Sequence, residues 1–174
     1  MVDLKRSDEH QLFSDIQWIL KERNEALTSF FVLDNAYFFG CTAEEVKNRL
    51  DCHLQEAESD ASFALLAAIE AIFRLDFDYR RKNKLKDPKS KALRRISKSP
   101  RDHFKHDVSM NKLFNVLATD DSVPRHTITF LKICFEYRNW LAHGRYWQLN
   151  IGRDKPTFSE IYQLAQTIEN RLYH

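Results

Sequence analysis

"FALLAAIEAIFRLDF", residues 63 to 77, decides the fold class. Phe63, Leu66, Glu70, Phe73 and Phe77 recur at steps of three and four, and Leu65, Ile69 and Ile72 widen the same stripe. That period belongs to an α-helix with one broad buried face, whereas a strand would alternate with a period of two. The pattern runs on in both directions, so residues 54 to 80 read as one long helix. Glu70 is the single charge inside its apolar stripe.

The rest of the chain agrees with a helical protein. It has only 3 Gly and 4 Pro in 174 residues, and hairpins consume glycine where helices do not. Ser7 can cap a first helix carrying Leu12, Ile16, Ile19 and Leu20. The pattern resumes through Leu27, Phe30, Phe31 and Phe38 to a stop at Gly40. "VLDNAYFF" fits a strand as well, with helix preferred. Thr42 and Glu45 form a capping box for a short helix near 43 to 52. Further helices are expected near Lys89–Ile96, between Pro88 and Pro100, over 107 to 118, and from about 124 to 143, with Ser122 as a cap and Pro124 in the first turn. A last helix follows a second capping box, Thr157 with Glu160. The expectation is one all-α domain over residues 1–174, a bundle of about six to eight helices.

Net charge is only +2, but it is unevenly spread. Residues 1 to 79 hold 7 Lys/Arg against 16 Asp/Glu, while residues 80 to 101, "RRKNKLKDPKSKALRRISKSPR", hold 11 against 1. Such a segment is either a polyanion-binding surface or a solvated basic loop. As a binding surface, with few aromatics interleaved, it would touch phosphates more than bases. The charged start and the lack of a run of ~18 apolar residues speak against a leader or a membrane span. Cys41, Cys52 and Cys134, with no CxxC, suit free thiols in a reducing cytoplasm. Three glycines cannot build GxGxxG, GxxxxGK[ST] or GxSxG, which removes the common nucleotide and hydrolase loops.

One stretch carries chemistry: "EYRNWLAHGRYW", residues 136 to 147. The helix before it is apolar nearly all round, with Thr129, Lys132 and Glu136 as its polar strip. At about 100° per residue, Asn139 and His143 continue that strip. Arg138 falls on the opposite, apolar face beside Leu131, Phe135 and Ala142, about 140° from His143. A guanidinium there needs an anion, and Glu70 is the candidate. In one reading Arg138 and Glu70 merely join two packed helices, and His143 is a polar residue at a helix end.

The other reading comes from a family. Arg138, the polar Asn139, three free positions and His143 resemble the R-x4-6-H motif of the HEPN superfamily in its RNxxxH form. The resemblance covers most of the chain in layout, but only residues 138 to 143 as a motif. It implies an all-α bundle and metal-independent RNA cleavage without a cofactor. His143 would be the general base or acid, Arg138 would bind the scissile phosphate, and Asn139 would orient either. It also implies a homodimer in which a two-fold axis brings Arg138 of one protomer towards His143 of the other. Stand-alone HEPN domains are often toxins or anti-phage effectors, some with an antitoxin or nucleotidyltransferase as partner; the alternative is a non-catalytic HEPN-like module that binds RNA, nucleotide or a partner protein. Where some carry a tyrosine that such a partner modifies with AMP, this chain has Arg145, with Tyr146 one residue further on.

RNA contacts are expected from Arg80, Arg81, Lys82, Lys84, Arg94, Arg95, Arg145 and Tyr146. Tyr146 and Trp147 either stack on bases or form a packing pair. His103, His106 and Asp107 have a spacing metals tolerate, but no second cluster completes a site, so no metal is expected. Cys134 and His143, nine residues apart on one helix, are too distant for a nucleophilic pair.

Overall fold

Between Thr42 and Asn83 the chain has neither glycine nor proline, and in the computed structural model this stretch is one helix of 40 residues, α2, over Ala43–Lys82. The structure describes residues 11–97, 108–119 and 123–172. The expected short helix near 43 to 52 and the long one over 54 to 80 are therefore continuous, because nothing at His53 interrupts the backbone ladder. The start of α2 is closed by the capping box. The Glu45 N–H donates to Thr42 Oγ1 at 3.2 Å and the Thr42 N–H to Glu45 Oε2 at 2.7 Å. Along the stripe Leu65, Leu66, Ile69, Ile72, Phe73 and Phe77 are buried.

Helix α1, Phe13–Phe30, folds back antiparallel on α2. Phe31 lies against His53, with ring centroids 4.9 Å apart, and Arg23 pairs with Asp60 at 2.9 Å. Phe13, Ile16 and Leu20 supply its buried face. The helix does not run to Gly40, as the sequence suggested, nor is "VLDNAYFF" a strand. Phe31 leaves helical geometry at ψ 64°, and Asn35 caps a 3-10 turn, Ala36–Phe38, by accepting from the Tyr37 N–H. A short Asp-Asn pair competes well for backbone hydrogen bonds, which favours a turn. Gly40, at φ +82°, closes that turn rather than the long helix. The turn buries Phe38 and leaves Phe39 96% exposed.

Among the described residues four further helices follow: α3 Pro88–Ser97, α4 Met110–Leu117, α5 Arg125–Ala142 and α6 Phe158–Leu172. Pro124 stands at the N-cap of α5. Helices α1, α3, α5 and α6 pack on α2, and α4 is held between α3 and α5. A ladder of rings, Phe73–Phe114–Phe135 at 5.5 and 4.9 Å, joins α2, α4 and α5 edge to face. Helix α6 starts at the Thr157–Glu160 capping box, and the Phe158 N–H donates to Glu58 Oε1 of α2 at 2.9 Å. The protein is thus an all-α helical bundle. Among the described residues no helix is long and apolar enough to cross a membrane. Ser7, Pro100, Ser122 and the His103–His106–Asp107 cluster lie outside the described residues.

Candidate functional site

Helix α5 is placed by its apolar face, where Ile128, Leu131, Cys134 and Phe135 are buried. This turns Arg138 towards α2, and its Nη2 lies 2.9 Å from Glu70 Oε2. Glu70 is shared. Its Oε1 accepts from Arg74 Nε and Nη2 at 3.2 and 3.0 Å, while Arg74 Nη1 donates to the Val108 carbonyl at 2.8 Å. One carboxylate therefore sits between two guanidiniums, and the trio keeps one net positive charge. Its side chains are 20–30% exposed, so it is reachable from solvent. Arg138 also lies over the Phe63 ring, 5.6 Å from its centroid.

Arg138 Nη1 donates to Asn139 Oδ1 at 3.3 Å. Asn139 is exposed and stands one turn before His143, whose N–H donates to the Asn139 carbonyl at 3.1 Å. His143 is the C-cap of α5 and exposed. Among the described residues its imidazole has one contact, with the Trp147 ring at 5.9 Å between centroids. The structure thus links Arg138 with Glu70 and Asn139, and leaves the imidazole of His143 without a hydrogen bond among the described residues.

The end of α5 is a Schellman motif. Gly144, at φ +75°, donates to the Leu141 carbonyl at 3.2 Å, and Arg145 donates to the Trp140 carbonyl at 3.0 Å. Arg145 is itself left-handed, at φ +60°. Its guanidinium forks onto both oxygens of Glu56 at 2.6 and 2.9 Å and lies over the Trp140 ring at 5.8 Å. Arg145 holds the Glu56 carboxyl below its ordinary range through that hydrogen bond. Trp140 Nε1 donates to the Trp147 carbonyl at 2.7 Å, which ties the following loop to the helix. Tyr146 is exposed beside Trp147.

The basic segment is less free than its composition implies. Arg80 bonds Asp76, Asp87 and Ser90 at 2.7, 3.2 and 3.2 Å. Arg81 and Lys82 grip the buried Asp78 at 2.7 and 2.6 Å, Lys89 pairs with Asp76 at 3.1 Å, and Arg94 donates to the Leu85 carbonyl. Among the described residues of this segment, Lys84, Lys86, Lys91 and Arg95 stand exposed, as does Lys82 beside Asp78. Among the described residues no three His, Cys, Asp or Glu side chains are grouped to hold a metal. Cys134 is fully buried, and burial pushes its thiol up to about 12, so it supplies no thiolate near neutrality.

Sequence reasoning missed Arg74, although its place four residues after Glu70 was a usable signal. It also missed Glu56 and the anchoring by Trp140, which depend on contacts between distant segments. No protein-family model, curated protein or solved structure matches this chain.

Proposed function

We propose that this chain is a metal-independent endoribonuclease of HEPN type, a cytoplasmic toxin or anti-phage effector. The reading is supported above all by the hydrogen bond from Arg138 to Asn139, which stands one turn ahead of an exposed His143. Asn139 thereby stands between Arg138, which is turned towards Glu70, and the exposed His143 at the end of α5. A cluster with one positive charge to spare suits a phosphodiester, and an imidazole is the side chain best fitted to proton transfer near neutrality.

In this reaction the ribose 2′-oxygen attacks phosphorus and the bond to the 5′-oxygen breaks. A base takes the 2′-hydroxyl proton, an acid gives a proton to the leaving 5′-oxygen, and a 2′,3′-cyclic phosphate remains. His143 performs one of these transfers, and Arg138 stabilises the charge that develops on the phosphate. Asn139 keeps Arg138 turned towards the end of the helix. Two protomers related by a two-fold axis would set Arg138 of one chain near His143 of the other.

The test is incubation of purified protein with total RNA in excess chelator, beside His143→Ala of matched stability. Cleavage by the unmodified chain alone, with cyclic phosphate ends, is the expected result. Equal cleavage by both proteins would refute the assignment of His143. The Glu70–Arg138 ion pair favours a second reading, a non-catalytic helical module whose Arg138 only joins two helices. That module would leave RNA intact, and Arg138→Ala would alter its stability alone.

A further inference from the structure

The loop after His143 is held firmly yet turns its rings outward. Gly144 and Arg145 close the helix end, Arg145 is clamped by Glu56, and the Trp147 carbonyl is fixed by Trp140 Nε1 at 2.7 Å. Between these anchors Tyr146 is 81% exposed and Trp147 is 36% exposed. The two rings meet edge to face at 4.7 Å, and Trp147 is tilted against His143 at 5.9 Å. Exposed rings on a fixed backbone contribute little to the core, but they offer a ligand π-faces whose ordering has already been met in folding. Lys155, exposed and 4.7 Å from the Trp140 ring, adds a cation to the same loop region.

We infer that Trp147 and Tyr146 form a base-stacking site for an unpaired nucleotide of single-stranded RNA, next to His143. The base and the 2′-hydroxyl of a nucleotide sit on adjacent ribose carbons. A 2′-hydroxyl brought to His143 therefore carries its base to the Trp147 ring. Stacking of this kind accepts any base, because each has a π-face, and it excludes duplex RNA, whose bases are stacked on one another. The inference rests on the nuclease reading for the place of the cut, while the binding site itself stands on the rings.

The probe is a single-stranded 2′-O-methyl oligonucleotide of about ten residues, which lacks the nucleophile and stays intact. Its affinity is measured beside that of its duplex. The single strand should bind about tenfold more tightly than the duplex. Trp147→Ala and Tyr146→Ala should each weaken single-strand binding about tenfold, and Trp147→Phe should restore most of it. Duplex binding should not change. If Trp147→Ala fails to fold, Tyr146→Ala carries the test, since that side chain is largely in solvent. Equal affinity for strand and duplex, no binding at all, or unchanged binding by the alanine variants would overturn the inference and leave the rings as a protein-contact surface. Ring-dependent binding without cleavage of any RNA would overturn the nuclease reading and leave this site standing. Cleavage with ring-independent binding would do the reverse.

Discussion

Glu70 answers two arginines at once, and that sharing sets what each substitution does. Removing Glu70 leaves two half-buried guanidiniums facing each other, whereas removing Arg138 leaves Glu70 still paired with Arg74. Glu70→Ala should therefore cost about 1–3 kcal/mol and Arg138→Ala nearer ~1 kcal/mol in chemical denaturation. The double variant should fall short of the sum by about 1 kcal/mol; strict additivity would mean that the pair contributes nothing. Glu56 behaves differently because its own side chain is 55% exposed, against 20% for Glu70. Its pKa is held below the ordinary 4.5 by the Arg145 hydrogen bond, so its contribution is complete above that value and is lost as pH falls through the depressed one. Glu56→Gln should thus lower stability slightly at neutrality, by about 0.5 kcal/mol. It should also flatten the acid limb below about pH 4.5, as read by urea unfolding at stepped pH. A limb as steep as that of the unmodified chain would place the acid sensitivity elsewhere, for example at Glu160, whose carboxyl is lowered by the Thr157 N–H and by Arg153.

Helices α2 and α5 end in the same way with different residues. Each closes with paired bonds to the third and fifth residues back: Lys84 to Arg81 and Leu85 to Arg80 in one, Gly144 to Leu141 and Arg145 to Trp140 in the other. The left-handed position holds Lys84 at φ +50° in α2 and Gly144 at φ +75° in α5. A side chain there costs about 1 kcal/mol relative to glycine. Lys84→Gly should therefore raise stability by up to about 1 kcal/mol. Gly144→Ala should lower it by about 1–2 kcal/mol, although a Cβ at Gly144 would meet nothing within 4 Å. Thermal unfolding of both variants checks the pair, and a neutral Gly144→Ala would show that the cap is not strained. These ends also mark how far the sequence could be read. The stripe of α2, both capping boxes and the glycine exit of α5 were legible because each is local, set by spacing or by one residue's backbone. The division at His53 and the helix through residues 31–38 were misread for the opposite reason. A helix without a breaker is continued by packing on its neighbours, and the Asp34–Asn35 turn outweighs the apolar residues around it. Glu70 could be matched to Arg138 because each was the odd charge on an apolar face. Glu56 and Arg145, 89 residues apart, the one on an exposed helix position and the other in the loop after α5, gave no such sign.

Across the whole molecule the charge division is partly cancelled within the chain. Asp76, Asp78 and Asp87 absorb Arg80, Arg81, Lys82 and Lys89, and among the described residues Lys84, Lys86, Lys91 and Arg95 form an exposed basic face near α3. If that face holds single-stranded RNA, neutral substitution of all four should reduce the salt dependence of binding by up to about 3 in log–log slope. An unchanged slope would exclude it. The remaining question is whether the site belongs to one chain or two. On a straight helix Arg138 and His143 stand about 140° apart, and in the chain itself Arg138 is turned towards Glu70 while His143 faces solvent. A site that needs both is most simply completed across a two-fold axis. Arg138→Ala and His143→Ala, each inactive alone, provide the test when mixed and allowed to exchange subunits. In a composite dimer one of the two sites in each mixed dimer draws its arginine and its histidine from unaltered chains. With random exchange half of the dimers are mixed, so about a quarter of the original activity should return. If each site lies within one chain, no combination contains an intact pair, and the mixture stays as silent as its components.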